Sequence, residues 1–466
     1  MALAGAALIA AGMLFSCTSK APKSLVTPPN AAAVKAGQAH REPVRGVWLT
    51  TVSRLDWPPV GSIIASTPES RITQQKLALI AKLDNLQRLG INTVFFQVKP
   101  DGTALWRSDI LPWSDMLTGK IGEYPGYDPL QFMLDEAHKR GMKVHAWFNP
   151  YRVSVNTKPS TIAELNNTLT QVPASVFVLH RNWIRTASDR FVLDPGIPEA
   201  RDWITSIVAE VVQNYPIDGV QFDDYFYTET ASSPLNDNET FRRYGQGYAS
   251  KGDWRRHNTQ QLIAQVSTTI KKLNPNVEFG VSPAGVWRNR SHDPAGSDTR
   301  GAAAYDESYA DTRSWVQQGL LDYIAPQIYW PFARDAARYD VLANWWAEVV
   351  KPTHTRLYIG VALYKVGEPS KNEPDWTVDG GVPELKKQLD LNETLPQIQG
   401  TILFRENNLN QPQTRQAVNY LRSRWGERFR LPAAHARQTP GGSPASAPGE
   451  SSPLWPSPEN DADRWR

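Results

Sequence analysis

The sequence predicts a (β/α)8 TIM-type barrel, and three observations carry that reading. Eight short apolar runs, rich in β-branched and aromatic residues, recur along the chain with helical segments between each pair. Residues 217–227 (IDGVQFDDYFY) show what such a run does at its end: Val220 and Phe222 lead straight into two adjacent aspartates and three aromatics. In a barrel of parallel strands, ligands and chemistry sit at the carboxyl ends of the strands. A doubly wound open sheet is the alternative, but no Gly-rich nucleotide loop follows the first run.

The elements follow in order. Residues 45–50 (RGVWLT) are the first strand, and the loop after it carries Trp57 and Pro58-Pro59. Ile72, Leu79, Leu83 and Leu86 fall at helical spacing, and Gly90 closes that helix. Residues 92–100 (NTVFFQVKP) are the second strand, followed by a long loop with Trp106, Trp113 and Tyr124. Asp128 caps the next helix, Pro129 suits its first turn, and Leu130, Met133, Leu134 and Ala137 form its apolar stripe before Gly141. The third strand, 143–151 (KVHAWFNPY), runs into Asn149-Pro150-Tyr151-Arg152. A polar insertion and an apolar stretch at 191–196 (FVLDPG) precede a helix through Ile204, Ile207, Val208, Val211 and Val212, stopped by Pro216. The fourth strand is 217–227, and a helix around Leu262, Val266 and Ile270 follows it. Residues 278–282, 321–330, 357–363 and 400–404 complete the eight.

The chain ends read differently from this middle. Residues 1–17 form an apolar, Ala-rich segment, too short to span a membrane but suited to a signal peptide. Leu14-Phe15-Ser16-Cys17 resembles a bacterial lipobox, which would make Cys17 a lipidated N-terminus and the membrane a partner. Thr18, not Asp, follows it; in a diderm bacterium that implies the outer membrane, facing the periplasm. Residues 18–43 read as a flexible tether, 44–430 as the barrel, and 431–466 as a Pro/Ser/Gly-rich tail too poor in apolar surface to fold. A single cysteine excludes an intramolecular disulfide and a Cys-based metal site. The net charge of +3, with basic residues scattered, gives no sign of nucleic acid as a partner.

The functional candidates are the side chains at the strand ends: Gln97, Lys99, Asp101, Asn149, Tyr151, Arg152, Asp223, Asp224, Tyr225, Ser282, Gln327, Tyr329, Trp330, Tyr364, Arg405, Glu406 and Asn407. His138 and His145 lie on different elements and make no metal spacing, and a Gly-x-Ser-x-Gly elbow is missing; neither a metal nor another cofactor is expected. In a regular strand Asp223 and Asp224 point to opposite faces, yet at a strand end both can reach one pocket. Carboxylates that flank a glycosidic bond stand about 5–5.5 Å apart for retention or about 6.5–9.5 Å for inversion. Adjacent residues fit substrate-assisted cleavage better, one carboxylate holding an N-acetyl group while the next protonates the leaving oxygen. Against this stands the structural alternative that the pair only caps the following loop.

RGVWLTTVSRLDWPP, NTVFFQVKPDGTALWRSDILPWS, KVHAWFNPYR, LDPGIPEARDWI, DGVQFDDYFY and APQIYWPF together resemble the bacterial glycosyl hydrolase-like 10 family, from about Arg41 to the tail. The resemblance implies a (β/α)8 barrel and, as in periplasmic lipoprotein members, hydrolysis of peptidoglycan glycan strands, particularly those stripped of stem peptides. It brings a glycan polymer, and proteins of cell division, into view as partners. DGVQFDD is also similar to the fourth-strand motif of chitinase-like enzymes, but Tyr225 stands where their catalytic Glu would be. The pair looks more like that of substrate-assisted N-acetylhexosaminidases, with Asp224 as the acid and Asp223 orienting the acetamido group. Glu406 is the spare carboxylate, a nucleophile for an ordinary retaining mechanism or a partner of Arg405 in a surface ion pair. Asn149, Tyr151 and Arg152 are candidates for sugar contacts, Gln327, Tyr329 and Trp330 for a platform, with Gln97, Lys99, Asp101 and Tyr225 beside them; Lys99 and Asp101 can equally pair with each other. Two other functions stay open: a catalytically silent glycan-binding envelope lipoprotein, and a hydrolase of another N-acetylhexosamine exopolysaccharide.

Overall fold

The structure, a computed structural model, describes residues 42–426. The signal segment with Cys17, the tether up to residue 41 and the C-terminal tail lie outside the described residues.

The strands in chain order are β1 (Val44–Leu49), β2 (Thr93–Lys99), β3 (Lys143–Phe148), β4 (Ile184–Ala187), β5 (Arg190–Leu193), β6 (Gly219–Phe222), β7 (Glu278–Val281), β8 (Tyr323–Ile324), β9 (Arg356–Val361) and β10 (Ile398–Leu403). Eight of them close a parallel barrel in the order β1-β10-β9-β8-β7-β6-β3-β2. These are the eight expected runs. The stretch at 191–196 contributes β5, which pairs antiparallel with β4 as a hairpin outside the barrel.

A helix follows each barrel strand: α1 (Pro68–Leu89), α2 (Pro129–Lys139), α3 (Pro198–Asn214), α4 (Lys251–Leu273), α5 (Thr312–Gln317), α6 (Tyr339–Val350), α7 (Val382–Thr394) and α8 (Arg415–Trp425). Their ends are coded locally. Thr67 accepts from the Ser70 amide at the start of α1, with Pro68 in its first turn, and Gly90 leaves it at φ 90°. Asp128 does the same for α2 through the Gln131 amide. The inward stripes of these helices, such as Leu79, Leu83 and Leu86 of α1, are sealed from water against the outer face of the barrel.

Inside the barrel, Trp48, Phe95, Trp147, Tyr323, Tyr358 and Ile402 pack as a separate cluster. Large rings fit there because small residues face them. A Cβ on Gly219 would stand 2.4 Å from the His145 ring, and one on Gly280 would stand 2.2 Å from that of Tyr323. The polar atoms are paired: Trp48 Nε1 donates to Gln221 Oε1 at 2.6 Å, Gln221 Nε2 donates to the Tyr323 hydroxyl at 3.2 Å, and His145 Nδ1 meets that hydroxyl at 2.9 Å. Burial pulls His145 down to about 4, so it is a neutral packing residue at physiological pH. Among the described residues, no helix is long and apolar enough to cross a membrane.

Candidate active site

β6 ends at Phe222, and Asp223 continues the inward face set by Gln221. It is 3% exposed. Its Oδ2 accepts from Trp147 Nε1 at 3.1 Å and from Asn149 Nδ2, and its Oδ1 accepts from the Tyr225 amide at 3.2 Å. The orientation of Asn149 is forced from β2. Gln97 Oε1 takes the amides of Thr51 and Val52 at 2.8 and 2.9 Å, so its Nε2 must face Asn149 Oδ1, at 2.6 Å. That leaves Asn149 with its NH2 toward Asp223. A chain of amides thus fixes one carboxylate from two strands away.

Asp224 takes the other direction. It is half-buried, lines a groove at the barrel mouth, and accepts from Gln327 Nε2 at 3.1 Å. The same Nε2 donates to the Ser282 carbonyl at 3.1 Å and lies 3.3 Å from its hydroxyl. The pair is therefore divided, one member locked inside and one presented to the groove. Burial first, and then the Asp224 carboxylate, push Asp223 up to about 7; the Arg152 guanidinium and the Trp147 and Tyr225 donors pull the other way. Asp223 thus keeps its proton up to about neutral pH, with the charge of Asp224 beside it as the second cause after burial.

An aromatic shelf stands beside Asp224. Tyr329 stacks on Phe404 with centroids 5.8 Å apart at 29°, and Tyr364 meets both rings edge-on. All three are half-buried. Burial, with Tyr364 and Asp224 nearby, holds the Tyr329 phenol well above its usual value, so it stays protonated. Opposite, Arg152 lies 4.5 Å and Arg190 5.9 Å from the centroid of the Tyr225 ring.

The structure thus brings together Asp223, Asp224, Tyr225, Gln97, Asn149, Arg152, Gln327 and Tyr329. Lys99 is buried beneath them, its Nζ donating to the carbonyls of Asn149, Pro150 and Arg152, so it clamps the loop that carries Asn149. Burial pulls it down to about 7. Asp101 is occupied by the amide and hydroxyl of Thr103, at 2.9 and 2.5 Å. Four expectations are corrected. Tyr151, expected to contact a sugar, and Trp330, expected in the platform, are 1% and 6% exposed and pack in the main core. Glu406 is sealed at 0% exposure, where Lys82 of α1 donates to it at 2.5 Å, and it belongs to the outer helix contact. Arg405 pairs with Asp56, not with Glu406.

Trp147 was missed as a functional residue. It shares the inward face of β3 with Asn149, two residues on, so strand alternation alone could have found it. Arg190 and Ser308 come to the site from the hairpin and from a loop after β7; no local pattern marks them. Among the described residues no cluster of three or more His, Cys, Asp or Glu is placed to hold a metal ion.

The sequence pattern of the family described as Glycosyl hydrolase-like 10 matches residues 43–378. The chain is 77% identical over 415 residues to "Glycosyl hydrolase DigH" of Escherichia coli O6:H1, covering 89% of this chain and 94% of that protein. It is 43% identical over 376 residues to "Glycosyl hydrolase YngK" of Bacillus subtilis, covering 80% and 70% respectively. Among solved structures, the PgaB (BpsB) glycoside hydrolase domain from Bordetella bronchiseptica aligns at 16% identity with a TM-score of 0.44, over 82% of this chain and 98% of that one.

Proposed function

The chain belongs to the glycosyl hydrolase-like 10 family, and from that premise we propose that it hydrolyses an N-acetylated cell-wall glycan, peptidoglycan strands lacking stem peptides, at the division site. The observation that carries this reading is the divided aspartate pair at the end of the fourth barrel strand. Asp224 is the member that lines the groove, so it is the one that gives a proton to the leaving oxygen of the glycosidic bond. Asp223 Oδ2 is filled by two donors, while Oδ1 carries only the Tyr225 amide and has a lone pair left. That oxygen accepts the N–H of the sugar's acetamido group and aims its carbonyl oxygen at the anomeric carbon. The C1–oxygen bond breaks as the carbonyl oxygen closes on C1, giving an oxazolinium; Asp224, now a carboxylate, takes a proton from the water that opens it.

The half-buried shelf of Tyr329, Tyr364 and Phe404 supports the reading of a stacked sugar ring, with Gln327 holding Asp224 nearby. The lipobox at Cys17 supports anchorage at the envelope, where the wall glycan is the abundant N-acetylated polymer.

Purified sacculi, intact and amidase-stripped, incubated with the protein freed of residues 1–17 and with its Asp224→Asn variant, test this by mass spectrometry of released fragments. Fragments from stripped strands with the wild type alone are expected. Equal cleavage by both proteins removes Asp224 from its role. Binding without cleavage of either substrate hands the protein to the class of silent glycan-binding lipoproteins.

A further inference from the structure

Next to the groove of Asp224 lies a second cavity of about 500 Å³, walled by the loop between β6 and α4 and by the first turns of α4. That volume is in the range of small-molecule sites. Glu229 lines both spaces, and Ser308 of the groove is followed directly by Tyr309 of the cavity, so the two adjoin. The cavity is built on fixed charges. Arg255 donates to both oxygens of Asp237, at 2.9 and 2.8 Å, and to Glu229 at 2.7 Å; Lys251 pairs with Asp237 at 2.5 Å and donates to Asn238 at 2.7 Å. Two cations and two carboxylates cancel, so nothing here selects an anion. What the cavity offers is a rigid set of dipoles, with the amides of Asn236 and Asn238 exposed at its rim. That chemistry suits a neutral ligand bearing hydroxyl and amide groups.

A second observation points the same way. Tyr309 lines the cavity with φ at 50°, the left-handed region that a bulky residue adopts at a cost. Its ring is held in place edge-on to Tyr227 at 5.6 Å, with Arg255 4.8 Å from its centroid. Such strain concentrates at ligand clamps and is kept only where the surroundings enforce it.

We propose that this cavity is an adjoining subsite that receives a further N-acetylated sugar unit of the strand whose scissile bond lies at Asp224. The inference rests on the glycan reading above and adds a mode of action: affinity grows with strand length, and bonds inside long strands are cut in preference to those at their ends. Calorimetric titration of the Asp224→Asn protein with a tetrasaccharide and an octasaccharide, both prepared from amidase-stripped strands, tests it. The octasaccharide is expected to bind at least about tenfold tighter. Adding Asn236→Trp, which fills the rim without touching the ion pairs, is expected to erase that difference and leave tetrasaccharide affinity within about twofold, which also certifies the fold. A length dependence that survives Asn236→Trp, or none in Asp224→Asn, overturns the subsite. Failure of Asp224→Asn to bind either oligomer overturns the glycan reading, and the subsite with it.

Discussion

The donors around Asp223 make its charge a property that single substitutions can move. Trp147→Phe removes a hydrogen bond to the carboxylate form, which disfavours ionisation. If the pair must hold one proton to act, the rate falls as pH rises through about 7, and in Trp147→Phe that fall is expected at higher pH. A pH profile of strand cleavage from 5 to 9 checks it, with no displacement of the alkaline limb as the contrary result. Asp224→Asn is expected to lower turnover about 10²- to 10⁴-fold, the range of a lost general acid, with little change in binding. Stability follows the same proton. Asp223 is raised in the fold, so between about pH 4 and 7 the native state keeps a proton that the unfolded chain has lost, and stability drops as pH rises across that window. Asp223→Asn removes this slope, and its melting temperature at pH 8 is expected to exceed the wild type's by a few °C. The aspartates, their neighbours and the aromatic run were legible in the sequence because they stand next to one another. The division of labour between them was not, since it depends on where Gln97 points its amide.

At the scale of elements, each strand end is supported from a neighbouring one. Lys99 at the end of β2 holds three carbonyls of the loop after β3, and a neutral, shorter side chain there leaves buried acceptors without donors. Lys99→Ala is expected to cost about 1–3 kcal/mol in urea unfolding and to lower turnover through a displaced Asn149. Gly280→Ala is a sterner test of the barrel interior, because its new methyl would meet a buried ring at 2.2 Å; a loss of about 1–3 kcal/mol is expected. All eight barrel strands, the closing Gly90 of the first helix and the Asp128 cap of the second could be read from the sequence, because alternation, capping residues and closing glycines are local; Thr67, which caps the first, was read as loop. Glu406 was misread for the opposite reason: its partner, Lys82, is 324 residues away and on the outer layer.

For the whole molecule, closure is the decisive property. The last strand, β10, pairs with β1 as well as β9, and α8 then lays Trp425 against the end of α1, its carbonyl where a Cβ on Gly90 would stand 2.5 Å away. The family match ends at residue 378, before β10 and α8. A chain stopped there has two open parallel edges and no seal on α1, and it is expected to be insoluble or unfolded by circular dichroism, whereas one ending at residue 426 keeps the wild-type spectrum and melting transition.

The indole of Trp147 rests on the very carboxylate whose charge the proposed reaction depends on. Excitation draws electron density away from the pyrrole nitrogen, so a negative charge facing that nitrogen lowers the energy of the excited state and moves emission to the red. The site therefore carries its own optical reporter. With 17 tryptophans in the chain the signal must be taken as a difference, wild type minus Trp147→Phe. Followed against pH, that difference spectrum reads the ionisation of Asp223 without substrate; followed during titration with strands, it reads the arrival of a sugar at the same carboxylate.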